Sequence, residues 1–322
     1  MNKKDRIIIT GAGGLVGSAL VDNLTKIGYE NVIAMTHQSC DLIDPKATRE
    51  FFKKNKPDYV FHAAALKQVP TCEFFPMQAT QTNVVGSQNI INSAISHGVS
   101  KVISLSTDKA VYPVNALGIT KALMEKVVQS TSRKLFQGQT ILSLVRYGNV
   151  LFSRGSVIPL FLKQIREKKP ITVTEHEMTR FLLPLKEAIQ LVGFALQNGR
   201  QGDIFVCNAP SANIGDLAQA LKNIFSSDSE IKIMGIRHGE KLHETLVSKE
   251  ELLRSEDMGG YLRLSMDDRD LNYKKYLSEG DKKVIQTEDY TSQNTTRLTV
   301  PKIEEMLLAQ PEIIAELKNQ EL

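Results

Sequence analysis

The stretch RIIITGAGGLVG, Arg6 to Gly17, constrains the fold of this chain more than any other. Its β-branched opening, Arg6 to Thr10, reads as a short buried strand. Three glycines follow, Gly11, Gly14 and Gly17, and the segment SALVDNLTKIG then runs with helical spacing to Gly28, which fits a C-cap. Glycine permits the sharp turn out of a strand and the close approach of a pyrophosphate to a helix N-terminus. There the unpaired N–H groups and the helix dipole favour negative charge. A bare glycine triplet is a weak signal, but a strand before it and a helix after it make this a dinucleotide-binding loop.

The pattern then repeats. NVIAM reads as a second strand, and DPKATREFFKKNK as a helix with Asp44 as N-cap and Pro45 at its first position. DYVFHAAA is a third strand, VVGSQNIINSAISHG a helix, KVISLST a fourth strand, NALGITKALMEKVVQSTS a helix and QTILSLVRYGNV a fifth strand. Strands alternating with helices predict an α/β fold, a Rossmann-like doubly wound parallel sheet, with a smaller mixed α/β lobe beyond it. We assign residues 1–150 to the dinucleotide domain, with returning elements from about 179–208, and residues 151–178 and 209–322 to the substrate lobe and tail. SVIPLFLKQIREKK reads as a helix broken at Pro159, and KIEEMLLAQPEIIAELKNQ as one final helix. From Met258 the sequence is polar and too poor in apolar residues for a core of its own, so it is expected to wrap the body or a neighbouring subunit.

Composition excludes several classes. In 322 residues there is no run of about 18 apolar ones, so no membrane span is expected. The net charge of +4 suits an anionic small molecule but is too weak and scattered for nucleic acid. Cys40, Cys72 and Cys207 lie far apart and read as free thiols of a reducing, cytoplasmic compartment. His238 and His243 are five apart with no third ligand in sight, so no metal is expected.

Cofactor choice stays open between NAD and NADP. An acid at the end of the second strand would bind the ribose 2′-hydroxyl, but AMTHQS has neither acid nor arginine there. Thr36 and His37 have room for a 2′-phosphate, and Asp41 and Leu42 suit an adenine contact.

Chemistry concentrates in STDKAVYPVNALGITK, Ser106 to Lys121. Thr107, Asp108 and Lys109 follow the fourth strand directly, at the carboxyl edge where this kind of sheet puts its ligands. Lys121 stands where a short-chain dehydrogenase keeps its catalytic lysine. One helical turn earlier, where such an enzyme has tyrosine, this chain has Leu117.

The segments TGAGGLVG, HAAALKQVPTCEFFP, TNVVGSQN, STDKAVYP, RYGNVLFSRGSVIPLF, MTRFLLPLKEAIQLV and RHGEKLHETLVSKEE resemble the extended short-chain dehydrogenase family. More narrowly, they resemble the soluble UDP-N-acetylglucosamine 4,6-dehydratases of bacterial polysaccharide and nonulosonate biosynthesis. The likeness runs from about Phe61 to the C-terminus, whereas residues 30–60 look more like nucleotide-sugar reductases and GDP-fucose synthases.

The resemblance implies an enzyme that oxidises C4 of UDP-N-acetylglucosamine, eliminates water across C5 and C6 and returns hydride to C6, with retention at C5 or, as the alternative, inversion there. It implies a tightly bound, recycled NAD(P)+ and a homo-oligomer. Beyond the glycines, cofactor contacts are implied for Leu15, Val16, Ala63, Ala64, Ala65, Asn83 and Lys121. Asn149 and Val157 would flank the diphosphate and uracil, Arg180 and Arg237 would grip phosphate, and Glu240 would accept from the ribose. Lys67 and Glu73 would lie near the sugar. Lys109, if neutral, would take the C5 proton, and Asp108, if protonated, would donate to the departing C6 oxygen. With no phenol at Leu117, Thr107 is the first candidate to relay the C4 proton to Lys121. A sugar-nucleotide 4-epimerase or 4-reductase is the first rival reading, and a non-catalytic NAD(P)-binding sensor the second.

Overall fold

In the computed structural model, which describes residues 1–136, 138–266 and 288–320, the expected parallel sheet is present. β1 (Arg6–Thr10), β2 (Asn31–Met35), β3 (Tyr59–His62), β4 (Lys101–Thr107) and β5 (Ile141–Tyr147) are its first strands in the chain. Three more strands complete it: β9 (Ile204–Cys207), β13 (Ser255–Asp257) and β14 (Tyr261–Leu264). The order is β13-β14-β9-β5-β4-β3-β1-β2, with β14 and β13 antiparallel and the rest parallel. Helix α1 (Leu15–Lys26) packs on α8 (Leu185–Asn198), while α2 (Pro45–Asn55), α5 (Gly86–Ser96) and α6 (Ala116–Ser132) pack in a row. Asp44 caps α2 by accepting from the N–H groups of Lys46 and Ala47, with Pro45 following, as its sequence predicts. The strands bury both faces, as the unbroken runs IIIT and VFH require, and they hold one continuous apolar core.

A second apolar core, with Phe161, Leu217, Leu221 and Ile303 among its buried members, lies among the remaining elements. Short helices α3 (Val69–Phe74) and α4 (Pro76–Thr80) follow β3, and α7 (Val157–Arg166) follows the two-residue β6 (Asn149–Val150). β6 pairs with β8 (Thr179–Leu183), and β8 with β10 (Ser211–Asn213). β7 (Ile171–Val173) pairs with β11 (Ile231–Ile233), and β12 (Thr245–Val247) with β15 (Tyr290–Thr291). α9 (Ile214–Ile224) packs against α11 (Val300–Leu308), and α10 (Lys249–Leu252) lies between β12 and β13.

Three expectations need correction. α7 is not broken at Pro159, because the proline falls in the first turn, where its missing N–H has no intrahelical acceptor to lose. The last helix is two, α11 and α12 (Pro311–Gln320), because Pro311 begins a new one. The segment after Met258 is not merely a wrapping tail. β14 joins the main sheet, and Leu298, Ile303, Leu307 and Ile313 are buried in the second core. The polar stretch DDRDLNYKKY within it lies outside the described residues. Among the described residues no helix is long and apolar enough to cross a membrane.

Candidate active site

A cleft of about 670 Å³ opens at the carboxyl edge of the parallel strands, between the two cores. Its floor is the glycine loop. Gly11 adopts φ +64°, and a Cβ on it would lie 2.6 Å from the backbone of Ala64. A Cβ on Gly17 would lie 2.2 Å from the Gly11 carbonyl oxygen, so both glycines are needed for the loop to close on itself. A Cβ on Gly13, by contrast, would meet nothing within 4 Å, and Gly14 makes no side-chain cap to α1. The N-terminus of α1 thus lines the cleft through Gly14, Leu15, Val16 and Gly17 without a side-chain cap, which fits a pyrophosphate.

The stretch from Ser106 to Lys121 supplies one wall. Thr107 ends β4, Asp108 to Ala110 make one 3₁₀ turn, and Asn115 caps α6 by accepting from Gly118 N–H at 2.9 Å. Gly118 is required here: a Cβ would meet the Lys109 carbonyl oxygen at 2.2 Å. This close approach puts Lys109 and Lys121 on one cleft, which both line along with Thr107 and Leu117.

Lys121 is buried and donates to the Leu105 carbonyl at 2.7 Å. Burial pushes its pKa down to about 8, with Glu125 acting the other way. Glu125 belongs to a buried chain of charges. It accepts from Ser106 at 2.5 Å and from Arg146 at 3.1 and 2.6 Å, and Arg146 also donates to Glu251 of α10 at 2.8 and 2.9 Å.

Lys109 has the opposite surroundings. Its ammonium is 3.0 Å from Asp108 Oδ1 and 3.4 Å from Glu244 Oε1. Burial opposes its charge, but the two carboxylates outweigh burial and the nearby Arg180, so its pKa is raised. Lys109 therefore stands as an ion pair and not as the neutral amine expected. Asp108 is 0 % exposed and does not line the cleft, so only Lys109 of the pair faces it. The Thr107 hydroxyl donates to Asp108 at 2.7 Å, so its proton is directed to Asp108 and not along a relay to Lys121.

Of the other expected residues, Gly11, Gly14, Leu15, Val16, Gly17, Ala63, Ala64, Ala65, Lys67, Asn149, Val157, Arg180, Arg237 and Glu240 all line the cleft. Seven do not. Asn83 is fully buried in a π-helical turn, where its amide binds Leu66 N–H, the Leu66 carbonyl and Thr120, so it fixes the loop after β3 and does not face the cleft. Glu73 accepts from Ala116 N–H at 2.6 Å and lies 3.4 Å from His238, tying α6 to the segment 237–241. Thr36, His37, Asp41 and Leu42 lie outside the cleft beyond β2, with His37 and Asp41 4.0 Å apart and Leu42 packed over Gly86. Asp108, the seventh, acts only through Lys109 and Thr107.

Sequence reasoning missed Glu244, Lys241, Arg154 and Tyr147, which also line the cleft. Glu244 stands in the quoted segment RHGEKLHETLVSKEE. The signal was a lone acid immediately before TLV, a strand buried on every residue. A carboxylate leading into such a strand has to find its partner inside.

Comparison with known proteins agrees with this architecture. Residues 32–266 match the model of the polysaccharide biosynthesis protein family, and residues 267–313 match that of its C-terminal region. The chain belongs to the polysaccharide biosynthesis protein family. A relative, UDP-glucose 4-epimerase of Rickettsia felis, is 56 % identical over 262 residues, 81 % of this chain and 77 % of that one. Among solved structures, Pen from Bacillus thuringiensis superposes with a TM-score of 0.84 at 28 % identity, covering 97 % of this chain and 99 % of that chain. UDP-glucose 4-epimerase from Thermotoga maritima, solved with UDP-glucose, shares the fold: TM-score 0.67 at 23 % identity, covering 73 % and 87 %. The family fold is thus the extended short-chain dehydrogenase fold.

Proposed function

We propose that this protein is a sugar-nucleotide 4,6-dehydratase that acts on UDP-N-acetylglucosamine and uses NAD(P)+ catalytically. One observation carries the reading: Lys109, backed by Asp108, lines the same cleft as Lys121, while Leu117 stands where a phenol would be. Oxidation at C4 alone has no use for the first pair. The cleft's cations, Lys67, Arg154, Arg180 and Arg237, suit a diphosphate.

Gly11, Gly14 and Gly17 would hold the dinucleotide, and its nicotinamide would supply the hydride acceptor for C4 and the hydride donor for C6. Lys121, brought by burial to about 8, is suited to take the C4 hydroxyl proton as a neutral amine. The Lys109–Asp108 ion pair and the corresponding neutral pair hold the same protons and differ by one transfer across 3.0 Å. That transfer leaves an amine facing the cleft and a carboxylic acid behind it. The amine removes the C5 proton, the C5–H electrons form C5=C6, and the C6–O bond breaks. The ammonium so formed protonates the departing oxygen, and water leaves. When hydride returns, the proton held by Asp108 reaches C5 through Lys109. Lys121 keeps the C4 proton, so the enzyme as a whole neither gains nor loses one.

The test is proton NMR of the reaction with UDP-N-acetylglucosamine in D2O. A 4-keto-6-deoxy product with solvent deuterium at C5, formed without consumption of added cofactor, is expected. Unchanged sugar, or a C4 epimer with its C6 hydroxyl intact, would overturn the reading. The epimer is the second reading, favoured by the name of the 56 % identical relative.

A further inference from the structure

We propose that Glu244 is a positioning residue for the elimination step. With Asp108 it forms a two-carboxylate cradle that holds the Lys109 side chain at the cleft wall and sets the pH at which Lys109 loses its last acidic proton. The inference rests on the dehydratase reading above.

The geometry is specific. Glu244 comes from a segment 135 residues beyond Lys109 (244 − 109), brought in by the pairing of β12 with β15. Its backbone is anchored on both sides, with its N–H donating to Ser292 Oγ at 2.9 Å and its carbonyl accepting from Ser292 N–H at 2.8 Å. Ser292 is itself 2.6 Å from the Thr179 hydroxyl on β8. With the backbone pinned, the side chain turns inward. Oε1 lies 3.4 Å from Lys109 and 3.9 Å from Arg180, and Oε2 is buried with no hydrogen-bond partner. Asp108 Oδ2 is likewise buried without a partner. Two carboxylates, each with one undonated oxygen, thus converge on one lysine.

Every charged group on this face bears on Lys109. Asp108 adjoins it on the 3₁₀ turn, Glu244 and Lys241 come from the segment before β12, and Arg180 comes from β8. Lys241 is held off by donating to the Val111 carbonyl at 2.6 Å. Arg180 is held by donating to the carbonyls of Thr179 at 2.7 Å and Leu242 at 3.2 Å. The two carboxylates are therefore the direct neighbours of the ammonium, and Glu244 is the one whose removal leaves the catalytic pair intact.

The elimination can be read apart from the oxidation. In a single turnover with UDP-N-acetylglucosamine, absorbance of reduced nicotinamide rises as C4 is oxidised and decays as hydride returns after water loss. The return of hydride needs the proton that the Lys109–Asp108 pair holds for C5, so the decay rate falls at high pH when that proton is lost. Glu244→Gln keeps the shape and removes the charge. Its alkaline fall is expected at lower pH than in the wild type, by about one unit or more. Glu244→Asp keeps the charge one methylene farther away and is expected to fall between the two. Superimposable pH profiles for wild type and either folded variant, whatever the overall loss of rate, would overturn the inference and leave Glu244 a structural residue. If the wild-type product keeps its C6 oxygen, it is the dehydratase reading that fails, and the product identifies that failure separately.

Discussion

Lys121 and Lys109 are the same kind of residue, both withdrawn from bulk water at one cleft, yet their proton affinities move in opposite directions. Lys121 has a backbone carbonyl as its nearest acceptor, and burial brings it down to about 8. Lys109 has two carboxylates within 3.4 Å, and they hold its proton against burial. Burial penalises a charge only as far as the protein fails to replace the lost water, and the partner decides the outcome. The contrast suits two successive tasks: a lysine neutral near physiological pH takes a hydroxyl proton, and one locked in an ion pair keeps a proton to hand on.

The largest effect that would break this division is expected from Lys109→Ala. Water loss should fall by about 10²–10⁴-fold, the range for loss of a positioned acid or base, while oxidation continues and reduced cofactor accumulates after mixing. Full turnover in this variant would end the assignment.

Lys121→Gln should give the complementary defect. The burst of reduced cofactor should drop by about 10²-fold, with no intermediate building up. The wild-type burst should also titrate. Lys121 is an ammonium ion below its pKa and an amine above it, so as a base it makes the burst rate rise with pH through about 8. A burst that falls over the same range would give Lys121 an electrostatic role and not a basic one.

A smaller change sharpens the contrast. Glu125 is the carboxylate that acts on Lys121 in the direction Asp108 and Glu244 act on Lys109. Glu125→Gln should move the rise of the burst below about 8, by less than the shift expected for Glu244→Gln. Arg146 retains Glu251 as a partner in that variant. Thermal unfolding, run in parallel, should show a lowered midpoint, since Glu125 is part of a buried charge network.

The smallest effect is expected from Leu117→Tyr. Leu117 is 5 % exposed and packs with Cys72 and Ala79, so a ring must displace some of this small cluster, at about 1–3 kcal/mol of stability. If the phenol reaches the cleft, the burst should lose its dependence on the Lys121 titration. An unchanged pH profile would mean that the ring cannot enter.

Much of the scaffold was legible because its signals are local. The run IIIT, the spaced glycines and the Asp44–Pro45 and Asn115 helix starts each act within a few residues, through backbone sterics and unpaired N–H groups. Pro159 misled because proline breaks a helix interior but is tolerated in a first turn, and the start of α7 lies only two residues before it. Asn83 and Glu73 misled for another reason. A polar residue near a cleft looks the same in sequence whether it faces a ligand or a backbone amide, and here both serve the backbone.

The sequence by itself determined the doubly wound sheet, the glycine loop at its carboxyl edge and the presence of Thr107, Asp108, Lys109 and Lys121 beside it. These follow from periodicity and from the conformational limits of single residues, which are short-range properties. Only the tertiary structure decided which lysine is charged, where the Thr107 proton points and that Glu244 stands against Lys109. Those are matters of a few ångströms between segments far apart in the chain. Electrostatic energy depends on that distance and on the excluded water, neither of which is written in the order of residues.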